Sequence, residues 1–540
     1  MKVSEILLQV ISLAAVVSGA AVQKPNPGPT VDLGYASYHG TRLAAGVDQY
    51  LGMRYARAPL GKLRFRAPQK PARLCKPQDA TEFRPICVGA GQMSGPGIDE
   101  DCLFVNVFTP SGATPDSKLP VWVWIQGGGY STNSNANYNG TEVIQSSGNN
   151  VIFVNFNYRV GVFGFLGGEE VREDGDLNAG LLDQRLLLRW VQKHIHKFGG
   201  DPNHVVIHGA SAGGGSVAYH LSAYGGNDPE KLFVGAVPQN PFWPTQRTVS
   251  EVEFQYKRLL KDTSCSSIDC LRQLDERTLL AAAPNSAFPE AQPGDPTPLW
   301  YWLPVVDGDL VQDHMYNLFR EGKFRRVPTL VGDDNDEGSI FGYNAATEEQ
   351  FLDFMRANYP RLDDSQLDSI ADLYPLMDPL PGHNAYFPSA SAAYGDSTFT
   401  CPGNMIAQTV AHYLGFNKAW NYRFNVQDPE TIAAGLGVPH VFENSAIFGP
   451  GNAGGVPSSF YTTNAAIVPV TMSYFLSFVR FLDPNTARLP GTPYWEPWGR
   501  GGEHGQRLKL QTNETEMENV PAELVHKCDL WKKLAPTTEI

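Results

Sequence analysis

Short apolar runs that stop at glycines or carboxylates recur along the chain and predict buried strands. Residues 119–125, 205–207 and 327–332 are examples. An apolar run of this kind, bounded by turn residues, is typical of a strand covered on both faces. Each of these runs ends beside residues that can do chemistry, and in α/β sheets the chemistry lies past the carboxyl ends of the strands. The pattern therefore predicts an α/β protein with its site at those ends.

The run Val205-Val206-Ile207 leads into a glycine-flanked serine. The string is His208-Gly209-Ala210-Ser211-Ala212-Gly213, followed by the helix-like residues 214–221. G-x-S-x-G between a strand and a helix is the pattern of a nucleophile elbow, a sharp turn that exposes the serine hydroxyl above the sheet. The turn requires small neighbours, and the helix N-terminus behind it stabilises negative charge. The pattern favours Ser211 as a nucleophile, with an ordinary Gly/Ser-rich loop as the alternative for the motif taken alone.

A second glycine-rich turn offers hydrogen-bond donors for an oxyanion. The predicted strand 119–125 runs into Gln126-Gly127-Gly128-Gly129-Tyr130. Without side chains in the way, the backbone N–H groups of glycines can approach a small negative oxygen. We expect Gly128, Gly129 and Ala212, the residue after the serine, to form the oxyanion hole. A flexible turn is the alternative for three glycines by themselves.

Such a site also needs an acid and a base, and the chain offers several in the order serine, acid, histidine. Four carboxylates follow residues 327–332, and their spacing does not choose among Asp333, Asp334, Asp336 and Glu337. A solvated loop or a calcium site is the alternative for this cluster. Five histidines come later, at His383, His412, His440, His504 and His526. His440 is favoured because it lies in a Gly/Pro-bounded loop soon after the strand-like residues 419–424.

Composition narrows the classes of function. The chain has 540 residues, of which 42% are hydrophobic, and no linker, charge block or repeat divides it. Residues 21–540 are therefore expected to form a single catalytic domain. The net charge is −14, with the basic residues scattered, which argues against a nucleic-acid partner.

The first 20 residues are typical of a secretory signal peptide, so we expect the protein to be secreted. Lys2 precedes an apolar stretch that ends at Ser18-Gly19-Ala20. This stretch is too short to span a membrane, and no other segment approaches the ~18 apolar residues that a span needs. Seven cysteines in a secreted chain predict disulfides and one leftover thiol. Asn139 and Asn513 begin N-x-T sequons, which the secretory context makes glycosylation candidates.

The chain resembles the type-B carboxylesterase/lipase family of the α/β-hydrolase fold, which also contains cholinesterases and neuroligins. The resemblance covers nearly everything after the signal segment. Its longest strings are Tyr50-Leu51-Gly52-Met53-Arg54-Tyr55-Ala56, Glu100-Asp101-Cys102-Leu103-Phe104-Val105-Asn106-Val107 and residues 157–166, 178–185 and 198–202. Within the family the chain is most similar to secreted fungal carboxylesterases, which share the strings at 126–130 and 242–246. The resemblance implies a large, mostly parallel central sheet flanked by helices.

Carried over residue by residue, the resemblance implies that Glu337 is the acid and His440 the base of a triad that needs no metal or organic cofactor. It implies a salt bridge between Arg64 and Glu100. It also implies three disulfides, which join Cys87 to Cys102, Cys265 to Cys270 and Cys401 to Cys528 and leave Cys75 unpaired.

Three positions depart from the family pattern. Ala210 replaces a glutamate that many relatives carry before the nucleophile, which removes a negative charge. Gln92 stands where cholinesterases have the aromatic residue that binds quaternary ammonium, so choline esters are poor candidates. Asn240 stands where many relatives have a serine behind the acid, so the surroundings of Glu337 are expected to differ.

The segment enclosed by the Cys87–Cys102 pair bears on substrate size. Family lipases use it as a long amphipathic lid, whereas here it is short and glycine-rich. We therefore expect no interfacial activation and a preference for soluble, short to medium acyl esters. Trp243 is expected to line the acyl pocket, with ordinary core packing as its alternative.

The sequence therefore predicts a serine carboxylesterase that acts on a small-molecule ester. An acyltransferase or lactone hydrolase would use the same acyl-enzyme with a different acceptor, and remains an alternative. A non-catalytic binding protein, as neuroligins are, is disfavoured because the chain keeps all three triad residues. The sequence predicts neither the natural substrate nor the oligomeric state.

Overall fold

The computed structural model describes residues 28–134, 136–453, 457–502 and 504–540, so the signal-peptide prediction falls outside the described residues. The strands are β1 (Thr30–Asp32), β2 (Ser37–His39), β3 (Thr41–Arg42), β4 (Val47–Arg54), β5 (Gln78–Asp79), β6 (Ile86–Cys87), β7 (Ile98–Asp99), β8 (Phe104–Pro110), β9 (Leu119–Ile125), β10 (Ile152–Phe156), β11 (Gly200–Ala210), β12 (Gly235–Gln239), β13 (Thr329–Asp334), β14 (Ala419–Phe424), β15 (Gln506–Leu510) and β16 (Glu516–Asn519).

The α-helices are α1 (Thr141–Ser146), α2 (Gly161–Phe165), α3 (Glu169–Asp174), α4 (Ala179–His194), α5 (Ala212–Ser222), α6 (Val249–Thr263), α7 (Ile268–Gln273), α8 (Glu276–Ala281), α9 (Met315–Arg320), α10 (Glu348–Asn358), α11 (Asp364–Leu373), α12 (Phe387–Gly395), α13 (Cys401–Leu414), α14 (Pro429–Ala433), α15 (Asn444–Phe448), α16 (Ile467–Phe481) and α17 (Ala522–Thr538). A π-helical turn, Asp396–Thr400, joins α12 to α13.

Eleven strands form one sheet, in the order β16-β15-β14-β13-β12-β11-β9-β10-β8-β4-β3. The central strands from β10 to β15 all pair in parallel. Within this sheet, as far as the structure describes it, the antiparallel pairs lie toward the two edges, at β15–β16 and between β10, β8, β4 and β3. The predicted α/β class with a mostly parallel central sheet is confirmed.

Side-chain alternation along the buried strands divides the core between the two faces of the sheet. In β9, Val121, Val123 and Ile125 join one apolar cluster. Trp122 and Trp124, which alternate with them, join the other. This is the period of two that a strand imposes, here apolar on both faces because helices cover both sides of a parallel sheet.

Covalent and ionic links fix the segments outside the sheet. The cysteines stand at bonding distance in the three implied pairs, Cys87–Cys102, Cys265–Cys270 and Cys401–Cys528, and Cys75 is free and exposed. Arg64 and Glu100 form a buried bidentate salt bridge with both N···O distances at 2.7 Å. Arg64 also donates to the carbonyls of Leu271 and Leu274, which ties the region of α7 to the N-terminal part of the chain. Among the described residues, no helix combines the length and apolarity that crossing a bilayer requires.

His208, directly before the elbow, is a core residue. Its Nδ1 accepts a hydrogen bond from the Trp122 indole at 3.1 Å, and its Nε2–H donates to Gln239 Oε1 at 2.8 Å. This pattern belongs to the neutral imidazole. Burial lowers the pKa of His208 to about 3. The side chain therefore supports β11 and carries no charge near neutral pH.

Buried His208 makes stability sensitive to acid. Its pKa is lower in the folded than in the unfolded chain, so the unfolded chain gains a proton first and stability is lost as pH falls below about 6.5. We predict that His208→Gln reduces the difference in unfolding midpoint between about pH 7 and pH 4.5. His412→Gln, at an exposed histidine, is the control and should leave that difference as in wild type. Equal pH sensitivity in all three proteins would contradict the assignment.

Candidate active site

Ser211 occupies a sharp turn between β11 and α5. Its backbone lies at φ 59° and ψ −127°, a conformation that residues other than glycine rarely adopt. The turn is held by two hydrogen bonds, from Ser211 N–H to the Gln239 carbonyl at 3.2 Å and from Phe242 N–H to the Ser211 carbonyl at 3.1 Å. Ser211 is 7% exposed. This is the geometry of the elbow that the sequence pattern predicts.

Glycines let α5 approach the sheet closely enough to support this turn. A Cβ on Gly209 would lie 2.9 Å from the Cα of Gly213, and one on Gly213 would lie 2.8 Å from the Gln126 carbonyl oxygen. Contacts under 3.0 Å are not tolerated by ordinary side chains. The small residues around Ser211 are therefore required by packing as well as by the turn itself.

The triple-glycine turn lies directly against the serine. A Cβ on Gly127 would be 2.8 Å from Ser211 Cβ, while one on Gly128 would be 2.8 Å from the Thr132 carbonyl carbon. Gly128 and Gly129 have φ values of +111° and +59°. In the described part of the chain, the N–H groups of Gly128, Gly129 and Ala212 donate no backbone hydrogen bond outside a regular element. Ala212 is the first residue of α5, where N–H groups have no partner within the helix.

The acid loop and the histidine loop are joined by backbone pairing. Asp336 and Pro439 form an isolated parallel bridge, with Asp336 N–H donating to the Val438 carbonyl at 3.0 Å. Asp336 Oδ2 accepts from Val438 N–H at 2.8 Å. The next residue in each loop is Glu337 and His440, and Glu337 Oε2 contacts His440 Nδ1. The structure thus brings together two residues that are 103 positions apart.

Glu337 has a second set of partners at its other oxygen. Oε1 accepts a hydrogen bond from Asn240 Nδ2 at 2.5 Å and one from Asp334 N–H at 2.7 Å. Both carboxylate oxygens are therefore engaged, and the side chain is 1% exposed. On the far side of the imidazole, His440 Nε2 is buried and has no hydrogen-bond partner among the described residues. The base therefore has one nitrogen held and one free to exchange a proton.

The other carboxylates of the loop have structural partners. Asp333 accepts from Thr400 Oγ1 at 2.6 Å, and burial raises the pKa of Asp333 to about 7. Asp334 and Asp336 accept backbone N–H groups of the histidine loop. In the ranges that the structure describes, no group of three or more His, Cys, Asp or Glu side chains could hold a metal ion.

The remaining candidate histidines lie elsewhere on the molecule. His412, His504 and His526 are exposed. His383 stacks on Phe387 with ring centroids 3.6 Å apart, and one of its ring nitrogens lies 3.1 Å from the Ala434 carbonyl oxygen. Among the five, His440 alone contacts a carboxylate of the acid loop in the described structure.

Two phenylalanines that the sequence analysis did not single out flank His440. Phe399, in the π-helical turn, has its ring centroid 4.3 Å from the imidazole, and Phe341 lies at 5.2 Å with its ring edge-on. Phe399 also packs against Phe242 at 5.6 Å. No local motif marks these rings, since Phe399 comes from a segment whose unusual turn is visible only in the structure.

Trp243 and Phe242 are adjacent in sequence but pack against different parts of the structure. The Trp243 indole packs against Tyr316 and Phe319 of α9, each with ring centroids 5.3 Å away, and it is fully buried. Phe242 instead joins the rings beside His440 and lies 5.3 Å from Trp300, whose ring covers Gly129. Trp243 thus has the surroundings of a core residue, its place in the acyl pocket stays a prediction, and Phe242 lies on the side of the site.

The two predicted glycosylation sites differ in how far the asparagine is exposed to solvent. Asn513 is exposed in the turn between β15 and β16. Asn139 is half-buried, and its Oδ1 accepts hydrogen bonds from the N–H and hydroxyl of Thr141 at 2.9 and 2.6 Å. Glycosylation of both residues remains a prediction, with Asn513 the more accessible of the two.

The close contact between Gly127 and Ser211 gives a direct test of the site. We predict that Gly127→Ala lowers kcat for p-nitrophenyl esters about 100-fold, because the added methyl group displaces the serine. Gly112→Ala is the control, since a Cβ there meets nothing within 4 Å, and it should keep wild-type kcat. Full activity in Gly127→Ala would show that the turn is not held against the serine as described.

The chain matches a known protein family and a solved structure. The model of the carboxylesterase family matches residues 28–531. A solved structure, EstA of Aspergillus niger, is 56% identical and covers 95% of this chain and 99% of that chain, with a TM-score of 0.93.

Curated relatives agree over most of the chain. Secreted lipase 4 of Gibberella zeae is 31% identical over 533 residues, 92% of each chain, and lipase 2 of Geotrichum candidum is 31% identical over 88% of this chain and 90% of its own. The family match spans almost the whole described chain and fits an ester-hydrolysing serine hydrolase. The protein is therefore a member of the carboxylesterase family, with the α/β-hydrolase fold.

Proposed function

We propose that the protein is a secreted serine carboxylesterase that works through an acyl-enzyme on Ser211. The main support for this proposal is the strained Ser211 turn together with the Glu337–His440 contact. Residues 21–540 form the catalytic unit in this proposal. The substrate is a small-molecule carboxylic ester.

The first half-reaction transfers the acyl group to the serine. His440 Nε2 takes the Ser211 proton as the hydroxyl attacks the ester carbonyl. Glu337 fixes the imidazole tautomer through Nδ1 and stabilises its positive form. The oxyanion is stabilised by the N–H groups of Gly128, Gly129 and Ala212, and the alcohol leaves with the proton from His440.

The second half-reaction frees the enzyme. His440 activates a water molecule, which attacks the acyl-enzyme through the same oxyanion hole and releases the acid. No metal or organic cofactor takes part in these steps. The alcohol and the water follow each other on the same face, so one base serves both.

The acyl group is proposed to be short to medium in length. The segment between Cys87 and Cys102 contains the short strand β7 and no helix among its described residues. Met93 is its one large apolar side chain that is well exposed, at 61%. A lid that opens on an oil surface needs a continuous apolar stripe, which this segment does not provide.

Secretion is proposed on three grounds. The first 20 residues have the pattern of a signal peptide. Relatives from Gibberella zeae and Botryotinia fuckeliana are named secreted lipases. The three cysteine pairs suit an oxidising compartment.

Loss of the nucleophile should abolish turnover. We predict that Ser211→Ala lowers kcat about 10⁶-fold on p-nitrophenyl butyrate, by analogy with serine hydrolases that lose their nucleophile. Ser365→Ala, at an exposed serine of α11, is the matched control and should behave as wild type. Steady-state kinetics on the three purified proteins would decide, and retained activity in Ser211→Ala would refute the proposed mechanism.

The difference between dissolved and emulsified substrate provides a separate prediction. The rate on short-chain triglyceride should rise smoothly with concentration and show no jump at the solubility limit, because the described segment between Cys87 and Cys102 provides no amphipathic lid. Activity on p-nitrophenyl esters should fall as the acyl chain lengthens beyond medium size. A sharp rate increase at the solubility limit would contradict the absence of interfacial activation.

A further inference from the structure

Asp334 connects the acid loop, the end of β12 and the histidine loop. It is the last residue of β13 and is 1% exposed. Its backbone N–H donates to Glu337 Oε1 at 2.7 Å. Its Oδ2 accepts from Asn240 Nδ2 at 3.2 Å and from Phe442 N–H at 3.1 Å. A movement of this carboxyl would therefore reach the loop that carries the base directly and the acid through Asn240.

The second oxygen of Asp334 meets another carboxyl. Glu443 is fully buried, and its Oε1 accepts a hydrogen bond from the Tyr422 hydroxyl at 2.9 Å. Asp334 Oδ1 and Glu443 Oε2 are buried and receive no N–H or O–H donor from the described residues. The two carboxyl groups face each other closely enough for one to donate a hydrogen bond to the other once it carries a proton. A carboxyl can donate to a carboxylate only when it carries a proton.

Among the described residues, no cation pairs with either of these carboxyls. Neither Asp334 nor Glu443 takes part in a salt bridge within the described structure, and besides each other the titratable side chains that act on them are Glu337 and Tyr422. Burial raises the pKa of Asp334 well above its ordinary value, and the negative charges of Glu443 and Glu337 raise it further. Burial also raises the pKa of Glu443, but the hydrogen bonds from Asp334 and Tyr422 oppose that rise. Two adjacent buried carboxylates without a cation would be costly, and one shared proton removes that cost.

We propose that Asp334 and Glu443 share one proton, held mainly on Asp334, and that this neutral Asp334 is a positioning residue for Glu337. The proton keeps a second full charge away from the acid of the triad. It also lets Asp334 hold three partners at once: Glu443 as acceptor, and the Asn240 amide and Phe442 N–H as donors. Asn240 in turn donates to Glu337. The inference rests on the proposed esterase function for its kinetic consequences, whereas the shared proton itself does not depend on that function.

The charge pattern is tested with a variant that resembles the protonated acid. Asp334→Asn keeps a neutral group that can donate to Glu443 and accept from Asn240 and Phe442. We expect kcat within about threefold of wild type and an acid limb of the pH–kcat/KM profile shifted by less than about 0.3 unit. If both carboxyls were ionised, the substitution would remove a negative charge near the triad. The apparent pKa of the acid limb of the pH–kcat/KM profile would then fall by about 0.5 unit or more. A shift of that size would overturn the proposal.

The positioning role is tested by removing the side chain. Asp334→Ala should lower kcat between about 10-fold and 100-fold with little change in KM, because Glu337 and the loop of His440 lose a fixed partner. Asp334→Asn should restore the activity. Asp428→Asn changes a buried carboxyl whose oxygen accepts hydrogen bonds from the N–H groups of Glu430 and Thr431, and it should leave kcat unchanged. Full activity in a folded Asp334→Ala protein would overturn the positioning role.

Infrared spectroscopy of the full-length enzyme observes the proton directly. The difference spectrum of wild type minus Asp334→Asn at about pH 8, where exposed carboxyls are ionised, should show the C=O stretch of a protonated carboxylic acid. Absence of that band would overturn the shared proton, even if Asp334→Ala failed to fold. The band needs no turnover, so retained activity in Ser211→Ala would refute the esterase mechanism and leave the proton assignment standing.

Discussion

Ser211 keeps a backbone conformation that costs on the order of 1–3 kcal/mol, and the surrounding packing holds it there. The helix α5 lies so close to β9, β11 and β12 that glycine is required at Gly209, Gly213 and Gly214. These contacts bury the start of the helix against the sheet, directly behind the serine that caps it. The catalytic geometry therefore depends on the absence of side chains as much as on the side chains present.

The parallel sheet brings the remaining groups to the same edge. Strands β11, β12 and β13 are neighbours, so the residues that follow them, Ser211, Asn240 and Glu337, come together past their carboxyl ends. His440 follows the next strand, β14, and the Asp336–Pro439 bridge sets its loop in register with the acid loop. Rigid strands thus position the nucleophile and the acid, while two paired loops position the base.

The sequence carries the parts of the site that depend on local pattern. A strand ending in G-x-S-x-G predicts the elbow, and a strand ending in three glycines predicts the turn beside it, because both need small residues at fixed offsets. The choice of Glu337 and His440 came from the family resemblance, since four carboxylates and five histidines fit the spacing. The contacts of Asp334 with Asn240, Phe442 and Glu443 could not be predicted, because they join segments about 100 or more residues apart. Trp243 and Phe242 are adjacent in sequence, and only packing decides which of the two rings reaches Phe399, the neighbour of His440.

Covalent labelling of the nucleophile tests the central claim most directly. A fluorophosphonate probe mimics the ester in its first step and stays bound to the serine that attacks it. Peptide mapping by mass spectrometry should find about one phosphonate per chain, attached to Ser211, with labelling slowed when Glu337 is replaced by Gln. A folded protein that takes no label, or takes it at another residue, would contradict the account.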